Sequence, residues 1–396
     1  MISWVLVLAR RIWTRLWVRV VLLSLCSLLS LAFAPLLTPF IPEGIKYQLG
    51  RDAILPVLTI LASGMLAVTT FSLNVMVSAY RAASSMATPR AYRLLLEDTT
   101  TQSVLATFVG GFVYSLSAVI LFHAQVYSDD AAVVVFGFTI VVVVLIVLAI
   151  LRWIDHLSHL GSMDHTLQII EAQARETLRN RARRPCLGAR AATDDDILPV
   201  SARAFVARKS GYIRFIDMAK LNQLAQEAAS DIHIGCAPGD FVLRDTPLGM
   251  ANMGDDRVLK TAARCFEIGD VRSFDQDPAL GLVILAETAQ RALSPGVNDP
   301  GTAVEVIGRL QRLLWEELPV PPNAEKDHKA TFPRVSIAPV AVTTLLSAAF
   351  AAIARDGAKD PDVMARLHGA LAALADHPNT QMAAAAQDMQ KALNQS

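Results

Sequence analysis

The sequence predicts a membrane α-helical part of about four spans, followed by a cytoplasmic α+β domain with a small β-sandwich or barrel-like module and C-terminal helices. Two observations support this fold class. Apolar residues make up 53% of the 396 residues and the mean hydropathy is +0.40, which is too apolar for an ordinary soluble chain. The excess lies almost wholly in residues 1–155, and strand-like patterns followed by amphipathic helices begin near residue 200.

Four apolar stretches are long enough to cross a bilayer, at about residues 18–37, 54–77, 103–123 and 131–151. The hydrocarbon core takes about 20 helical residues. Ala32-Phe33-Ala34 resembles a signal-peptide cleavage site, but the segment before the stretch is long and Pro35 follows directly. We therefore interpret the first stretch as an uncleaved span and residues 1–155 as a transmembrane domain.

Basic residues are distributed unevenly among the segments that flank these stretches. Three segments are basic, and they contain Arg10, Arg11, Arg15 and Arg19, then Arg81, Arg90 and Arg93, then Arg152, Arg175 and Arg179. The other two connections contain only Lys46 and Arg51, or Asp129-Asp130 without a base. Because basic segments stay on the cytoplasmic side, the sequence predicts a multi-pass inner (plasma) membrane protein with both termini in the cytoplasm.

Two groups of these arginines have a further predicted role. Arg11, Arg15 and Arg19 recur every four residues, so a helix would present a basic stripe to anionic lipid headgroups; a plain orientation signal is the alternative. Arg81, Arg90 and Arg93 would meet lipid phosphates, or pair with acids of the cytoplasmic part such as Asp275 or Asp277. The predicted partners are thus the bilayer, anionic lipid and a second copy of the chain.

A polar stripe follows one side of the second stretch. It falls within about 100° of arc at 3.6 residues per turn, and consists of Thr59, Ser63, Ala67, Thr70, Asn74 and Ser78. Such a stripe indicates close helix packing, the commoner cause, or a water-filled path. No stretch contains Asp, Glu, Lys or Arg away from its ends, which disfavours a proton-coupled pump.

Composition excludes several function classes. The formal net charge is zero, which gives no basis for nucleic-acid binding. The four cysteines, Cys26, Cys186, Cys236 and Cys265, form no CxxC pair, so neither a disulfide framework nor a zinc site is predicted. No P-loop, GxGxxG, HExxH or Ser–His–Asp pattern is present, so we predict no cofactor, no metal and no catalytic residue.

The remaining chain divides into three predicted segments. Residues 156–199 form a helical stalk that continues the last span and then an exposed linker. Residues 200–250 form the β-rich module, which is similar to half of a lipoyl- or biotinyl-type barrel but has no lysine at its Pro238-Gly239-Asp240 turn. Residues 251–396 are mostly helical, with a helix at Asp255–Gly269 and a short strand at Arg334–Ile337.

The most patterned segment is FDQDPALGLVILAETAQRALSPGVNDPGTA at Phe274–Ala303. Asp277-Pro278 and Asp299-Pro300 are each predicted to open a helix, because Asp caps a helix and Pro at its first position loses no hydrogen bond. Ser294-Pro295-Gly296 ends the first helix, and Glu287 and Arg291 are spaced for an i, i+4 pair. This predicts two helices joined by a tight corner.

Seven residues of this segment are candidates for ligand binding or an inter-domain contact: Asp275, Asp277, Arg291, Ser294, Asn298, Asp299 and Thr302. Asp275, Asp277 and Asp299 would hold Mg²⁺ between them if the fold brought them together. Alternatively, with the acids turned aside, the free N–H groups of Gly301 and Thr302 would cradle a phosphate, with Ser294 near. A purely structural corner is the third interpretation, because two of the acids stand where helix caps are expected.

Three segments resemble a bacterial family of predicted membrane proteins, domain of unknown function 2254. They are DQDPALGL with ALSPGVNDPGTA, then SGYI with GDFV and TPLG, and then FSLNVMV with TPR and QSVLATFVGGFVYSL. The resemblance extends from the first span to about Asp376. It implies spans ahead of a cytosolic domain in a bacterial membrane, and it brings no reaction, substrate or catalytic residue. The family tends to have SSQxSPR where this chain has SSMATPR.

Three functions fit these observations. The first is a homo-oligomeric channel or transport-like protein that its cytoplasmic domain controls. The second is a membrane-anchored sensor or scaffold that binds a small anion or a protein partner without conduction. The third is an enzyme that uses the carboxylates of the corner, which the absence of catalytic motifs disfavours.

Overall fold

The computed structural model describes residues 25, 51–86, 88–91, 99–126, 131–159, 162–193, 201–252, 255–318 and 330–395. The predicted first span, with Arg11, Arg15 and Arg19, lies outside these residues. Contacts divide the chain into two units. The membrane unit comprises Met1–Ser85 and Tyr92–His165, and the C-terminal unit comprises Met86–Ala91 and Thr166–Ser396.

The membrane unit contains three long helices, α1 (Arg51–Met86), α2 (Thr99–His123) and α3 (Ala131–His159). Among the described residues, three helices are long and apolar enough to cross a membrane, over Asp52–Arg81, Thr100–His123 and Ala132–Leu157. These correspond to the second, third and fourth predicted spans. A total of four spans is therefore not confirmed, and the helices extend beyond the predicted limits.

Helices α2 and α3 form a closely packed pair. A side chain at Gly111 would place its Cβ 2.9 Å from Ile146, so the missing side chain allows the two helices to approach. Tyr114 is fully buried, and its hydroxyl lies 3.0 Å from Thr139 Oγ1. At one end of the pair Thr101 Oγ1 lies 3.0 Å from a ring nitrogen of His156. These polar side chains of α2 and α3 are thus satisfied between the two helices.

Helix α4 (Met163–Arg183) belongs to the C-terminal unit from Thr166 onward. The prediction that the last span continues without a break into the stalk is wrong, since α3 ends at His159 and α4 starts at Met163. Ser162 Oγ accepts a hydrogen bond from the His165 N–H at 3.2 Å, as a helix N-cap does, so the sequence restarts the helix there. The buried face of α4 carries apolar residues at helical spacing, namely Leu167, Ile170, Ala174 and Leu178.

Two sheets form the β part of the unit. The larger has the order β1 (Ala189–Ala191), β8 (Phe332–Ile337), β4 (Ile232–Ile234), β6 (Pro247–Ala251) and β2 (Arg203–Val206). The smaller has the order β5 (Phe241–Val242), β3 (Gly211–Ile216) and β7 (Phe266–Gly269). Strand β8 pairs in parallel with β1 and β4, and the other pairings are antiparallel.

This topology differs from the predicted module. The barrel-like module of residues 200–250 is not confirmed, because its strands pair with residues 189–191, 266–269 and 332–337. The predicted helix at Asp255–Gly269 is wrong in its last part, where α6 (Asp256–Arg264) gives way to β7. Phe266 and Ile268 alternate inward along β7 and are buried, which is a strand pattern.

The remaining helices are α5 (Met218–Glu227), α7 (Leu280–Ala292), α8 (Pro300–Glu317), α9 (Val342–Asp356), α10 (Pro361–Ala375) and α11 (Thr380–Gln395). Local signals set their starts, because the side chains of Asp217, Asp299 and Asp360 each accept a hydrogen bond from the first turn of the helix that follows. Helix α7 packs against α8 and α9, and α10 packs against α8 and α11.

Candidate functional site

Asp277 is not the N-cap residue of α7, although its Oδ1 accepts a hydrogen bond from the Ala279 N–H at 3.2 Å. Helix α7 begins at Leu280, and its N-cap residue Ala279 has no side-chain hydrogen bond. Asp277 is 2% exposed and accepts two hydrogen bonds from Arg272, Nε to Oδ2 at 2.6 Å and a terminal nitrogen to Oδ1 at 2.9 Å. Its charge is therefore matched by a bidentate arginine, which is the strongest form of such a pair.

The Pro238-Gly239-Asp240 turn lies directly against this carboxylate. Gly239 has φ of +98°, and a Cβ on it would be 2.4 Å from Asp277 Oδ2. Only glycine combines this backbone conformation with so close an approach. The turn that resembled part of a carrier domain thus holds the buried Asp277 in place.

Neighbouring residues of the same segment connect the sheets to the helices. Gln276 bonds both backbone groups of Ile216 at the end of β3, at 2.8 and 3.1 Å. Thr177 of α4 donates to the carbonyl of Phe274 at 3.2 Å. A Cβ on Gly281 would be 2.3 Å from Cβ of Ala174, so α7 starts in direct contact with α4. Sequence reasoning missed Arg272, Gln276 and Gly239, whose only signal was their nearness to conspicuous motifs.

A substitution at Gly239 tests this close approach. We expect Gly239→Ala to lower the free energy of unfolding of the C-terminal unit by about 1–3 kcal/mol, through left-handed backbone strain and the collision with Asp277. The matched control is Gly235→Ala, where a Cβ would meet only the Leu248 carbonyl at 4.0 Å. Thermal unfolding of the two variants measures the difference, and equal melting temperatures would contradict the assignment.

The corner between α7 and α8 is a self-contained turn. Ser294 Oγ donates to the Arg291 carbonyl at 2.6 Å, and the N–H groups of Asn298 and Asp299 donate back to Ser294 and Ala292. Asn298 has φ of +50°, a left-handed conformation that asparagine tolerates better than most residues. Residues 295–299 are exposed. The backbone conformation and hydrogen bonds of this turn therefore account for the Ser, Asn and Asp residues of the motif.

Asp299 caps α8 as predicted. Its carboxylate accepts from the Thr302 N–H at 3.1 Å and from Thr302 Oγ1 at 2.5 Å. The hydroxyl and backbone bonds from Thr302 hold the pKa of Asp299 below its usual value. Because the Thr302 N–H is already used by Asp299, the predicted phosphate cradle is not formed in this conformation.

The candidate acids are not brought together. Asp277 precedes α7 and Asp299 follows it, and the 13 residues of α7 extend about 20 Å. Over the part of the chain that the structure describes, no three His, Cys, Asp or Glu side chains form a group that would hold a metal ion. A Mg²⁺ site formed by Asp275, Asp277 and Asp299 is therefore contradicted. The structure groups Ser294, Asn298, Asp299 and Thr302 at the corner, and Glu287 pairs with Arg90.

A network of ion pairs joins α4 to α8. Glu171 accepts hydrogen bonds from Arg175, Arg309 and Arg312, and the distances are 2.7–3.1 Å. Further along both helices, Glu317 accepts from Arg175 at 2.8 Å and from Arg179 at 2.7 Å. Burial of Glu171 opposes ionisation, but the hydrogen bonds from Arg312 and Arg175 outweigh it and lower the pKa of its carboxyl group.

The order of these pairs shows how the helices run. Glu171 pairs near Arg309, and Arg179 pairs near Glu317, so α4 and α8 are parallel. The corner precedes Arg309 by about ten residues, or about 15 Å of helix. It therefore lies near the start of α4.

The polar stripe of α1 faces away from the other described spans. All six of its residues are exposed: Thr59, Ser63, Ala67, Thr70, Asn74 and Ser78. The buried residues of α1 are Ile54, Leu58, Met65, Thr69, Ser72 and Tyr80. At 3.6 residues per turn, the face that they form is centred about 160° from the centre of the stripe. Packing against α2 or α3 therefore does not explain the stripe.

Most of the hydroxyl groups in the stripe are satisfied by the helix itself. Thr59, Ser63 and Thr70 donate to the carbonyls of Leu55, Thr59 and Leu66 at 2.9–3.0 Å. Such bonds lower the cost of placing a hydroxyl in an apolar environment. Within the described residues, the Asn74 side chain makes no hydrogen bond. Its amide is therefore the polar group of the stripe that most needs a polar neighbour outside its own helix.

A family model described as predicted membrane protein (DUF2254) matches residues 13–373. The chain belongs to this family. The matched residues include all three candidate spans, the Asp277 segment and the corner. The DUF2254 chain is therefore a predicted membrane protein, in agreement with its apolar helices.

The chain is similar to uncharacterized proteins of Mycobacterium bovis and Mycobacterium tuberculosis. Each is 25% identical over 339 residues, which is 81% of this chain and 63% of the relative. The DUF2254 chain thus spans less than two-thirds of the length of these relatives. No solved structure matches it.

Proposed function

We propose that this protein is a multi-pass inner-membrane protein that forms a homo-oligomer, in which the polar face of α1 lines a path for ions or small polar solutes under the control of the C-terminal unit. The observation that supports this proposal is the orientation of the stripe, on the face of α1 opposite to its packed face. An amide such as Asn74 is costly in lipid, so water or another copy of α1 is the expected neighbour.

The proposed topology has both termini in the cytoplasm. Arg90, which follows α1, pairs with Glu287 of the C-terminal unit, so this connection lies on the same side of the membrane as that unit. Two candidate spans, α2 and α3, separate Arg90 from Thr166, and an even number of crossings returns the chain to the same side. The arginines of both segments make that side cytoplasmic.

A pair of reporter fusions tests this topology. We expect a reporter that is active only in the periplasm to be inactive when fused after Ser396, because that residue follows the cytoplasmic unit. The same reporter fused after Val126, between α2 and α3, should be active. The reverse pattern would contradict the cytoplasmic location of the C-terminus. Activity at both sites, or at neither, would contradict the prediction that Val126 and Ser396 lie on opposite sides of the membrane.

The alternative is a sensor or scaffold whose α1 helices pack together without conduction. It is favoured by the hydroxyls of Thr59, Ser63 and Thr70, which bond to their own helix and need no water. An enzymatic role has less support, since the described residues bring no acidic triad together.

Thiol labelling separates these two functions. Single cysteines at Ser63, Thr70 and Ser78 would be compared with cysteines at Leu66 and Leu73, which are exposed on neighbouring positions of α1. Burial raises the pKa of Cys236 to about 12 and that of Cys265 to about 11, so these two native thiols react slowly and can stay, while Cys26 and Cys186 are replaced by serine. A path predicts fast labelling by a membrane-impermeant reagent at stripe positions only. Protection at all five positions would favour the packed scaffold.

Flux through proteoliposomes tests Asn74 directly. We expect Asn74→Leu to reduce ion flux by about tenfold without changing the oligomer, because one lost polar contact in the path costs roughly 1.4 kcal/mol. The control is Phe71→Leu, at a 64% exposed apolar position outside the stripe. Loss of assembly in Asn74→Leu, with unchanged flux per intact oligomer, would show that the stripe is a packing face.

A further inference from the structure

The segment between α1 and α2 belongs to the C-terminal unit. The chain leaves the membrane unit between Ser85 and Met86, inside α1, and returns to it after Ala91. Thr88 is 8% exposed and Ala91 is fully buried, and the Ala91 N–H donates to Thr88 Oγ1 at 3.3 Å. Residues 88–91 are therefore a packed part of the C-terminal unit and not a free loop.

Arg90 joins this segment to α7 through its hydrogen-bonded ion pair with Glu287. Glu287 lies in the middle of α7, and the opposite face of that helix is fixed by buried neighbours, among them Leu282, Leu285, Ala286 and Ala289. At its start α7 also touches α4, where Gly281 meets Ala174. Helix α7 thus contacts both segments through which the chain enters the C-terminal unit.

We propose that Arg90 and Glu287 are positioning residues that link the end of α1 to α7. A displacement of α7 would then move α1 and with it the polar stripe. This inference rests on the proposed function of that stripe. Helix α1 is continuous from Arg51 to Met86, and only residue 87 separates its end from the buried Thr88. Because so short a connection cannot absorb a shift of the segment, the end of α1 must follow it.

The Arg90–Glu287 ion pair is weak enough to rearrange without a large loss of stability. The Arg90 side chain is 44% exposed and that of Glu287 is 26% exposed, and ion pairs of this exposure contribute little net stability. The burial of Thr88 and Ala91 holds the segment on the unit, while the ion pair sets its alignment with α7. A small change at α7 is then enough to alter that alignment.

The test uses the full chain in lipid nanodiscs with charge reversals at both positions. Arg90→Glu and Glu287→Arg are each expected to raise amide hydrogen exchange over residues 82–91 about threefold to tenfold, because attraction becomes repulsion. A spin label at a cysteine replacing Ser78 should become more mobile in both variants. The double reversal should restore both measurements. The control is Lys391→Glu, which breaks only the exposed pair with Asp388 on α11.

Each outcome decides the proposal. Faster exchange without a change at position 78 would overturn transmission to α1, and a double reversal that restores neither measurement would overturn the pair itself. Unchanged exchange in both single variants would also overturn it. Neither readout needs a path, so a negative flux experiment beside a positive result here would remove the conduction proposal and leave the link intact.

Discussion

Asp277→Asn is expected to lower the free energy of unfolding of the C-terminal unit by about 2–4 kcal/mol, because it leaves the half-buried Arg272 guanidinium without its charge partner. Asp277 is 2% exposed and receives both hydrogen bonds of that arginine. Asparagine offers one acceptor oxygen and an amide group that would face Arg272. The loss should therefore equal that of Asp277→Ala within about 1 kcal/mol.

Asp299→Asn is the matched comparison, since both acids precede a proline in the same motif. Asp299 is exposed and acts as an N-cap through Thr302, and asparagine caps about as well as aspartate. We expect Asp299→Asn to be nearly silent and Asp299→Ala to cost about 1 kcal/mol.

Melting temperatures of the four variants in detergent measure these differences. For a unit of this size, a loss of 2–4 kcal/mol corresponds to a decrease of about 4–16 °C. If Asp277→Asn and Asp299→Asn melted together near the wild-type temperature, charge would be unimportant at both positions. The Arg272 pair would then be an incidental contact.

The contrast between these two acids shows what the sequence could predict. The cap by Asp299 depends on residues three positions apart, and the start of α8 at Pro300 was predicted correctly from that local signal. Asp277 stands before the same Pro with the same spacing to an apolar helix. Its side chain accepts the Ala279 N–H, but it is also bound by Arg272 and lies against the turn of Gly239, about 40 positions earlier in the chain. No local pattern carries that information.

The same limit explains the other differences. Strand β1 pairs with β8 across about 140 residues of chain, so the Arg-rich segment after α4 was predicted as linker and not as a strand. The three candidate spans among the described residues could be predicted, because a helix in lipid must be mostly apolar along its length. The sequence could not predict which way the polar stripe faces. Periodicity shows which residues of α1 share a face, but not which other helices pack against that face.

Glu171→Gln is expected to weaken the C-terminal unit by about 2–4 kcal/mol at neutral pH. The carboxylate of Glu171 is 6% exposed and accepts from Arg175, Arg309 and Arg312, so its loss leaves three arginines with less compensation between α4 and α8. Glu305→Gln is the control, because Glu305 shares Arg309 with Glu171 but is 47% exposed. It should cost less than about 1 kcal/mol.

The pH dependence of the same variant gives a second measurement. The folded-state pKa of Glu171 is lowered, so its contribution to stability is fully present above the unfolded pKa of about 4.3 and is lost as pH falls through the folded pKa. The difference in melting temperature between wild type and Glu171→Gln should therefore be constant from about pH 7 to pH 5 and shrink below about pH 4. Asp299 and Asp356, whose pKa values are also lowered, are unchanged in both proteins and cancel in the comparison. A difference that grows as pH falls would show that Glu171 is protonated in the folded protein and would contradict the ion-pair network between α4 and α8.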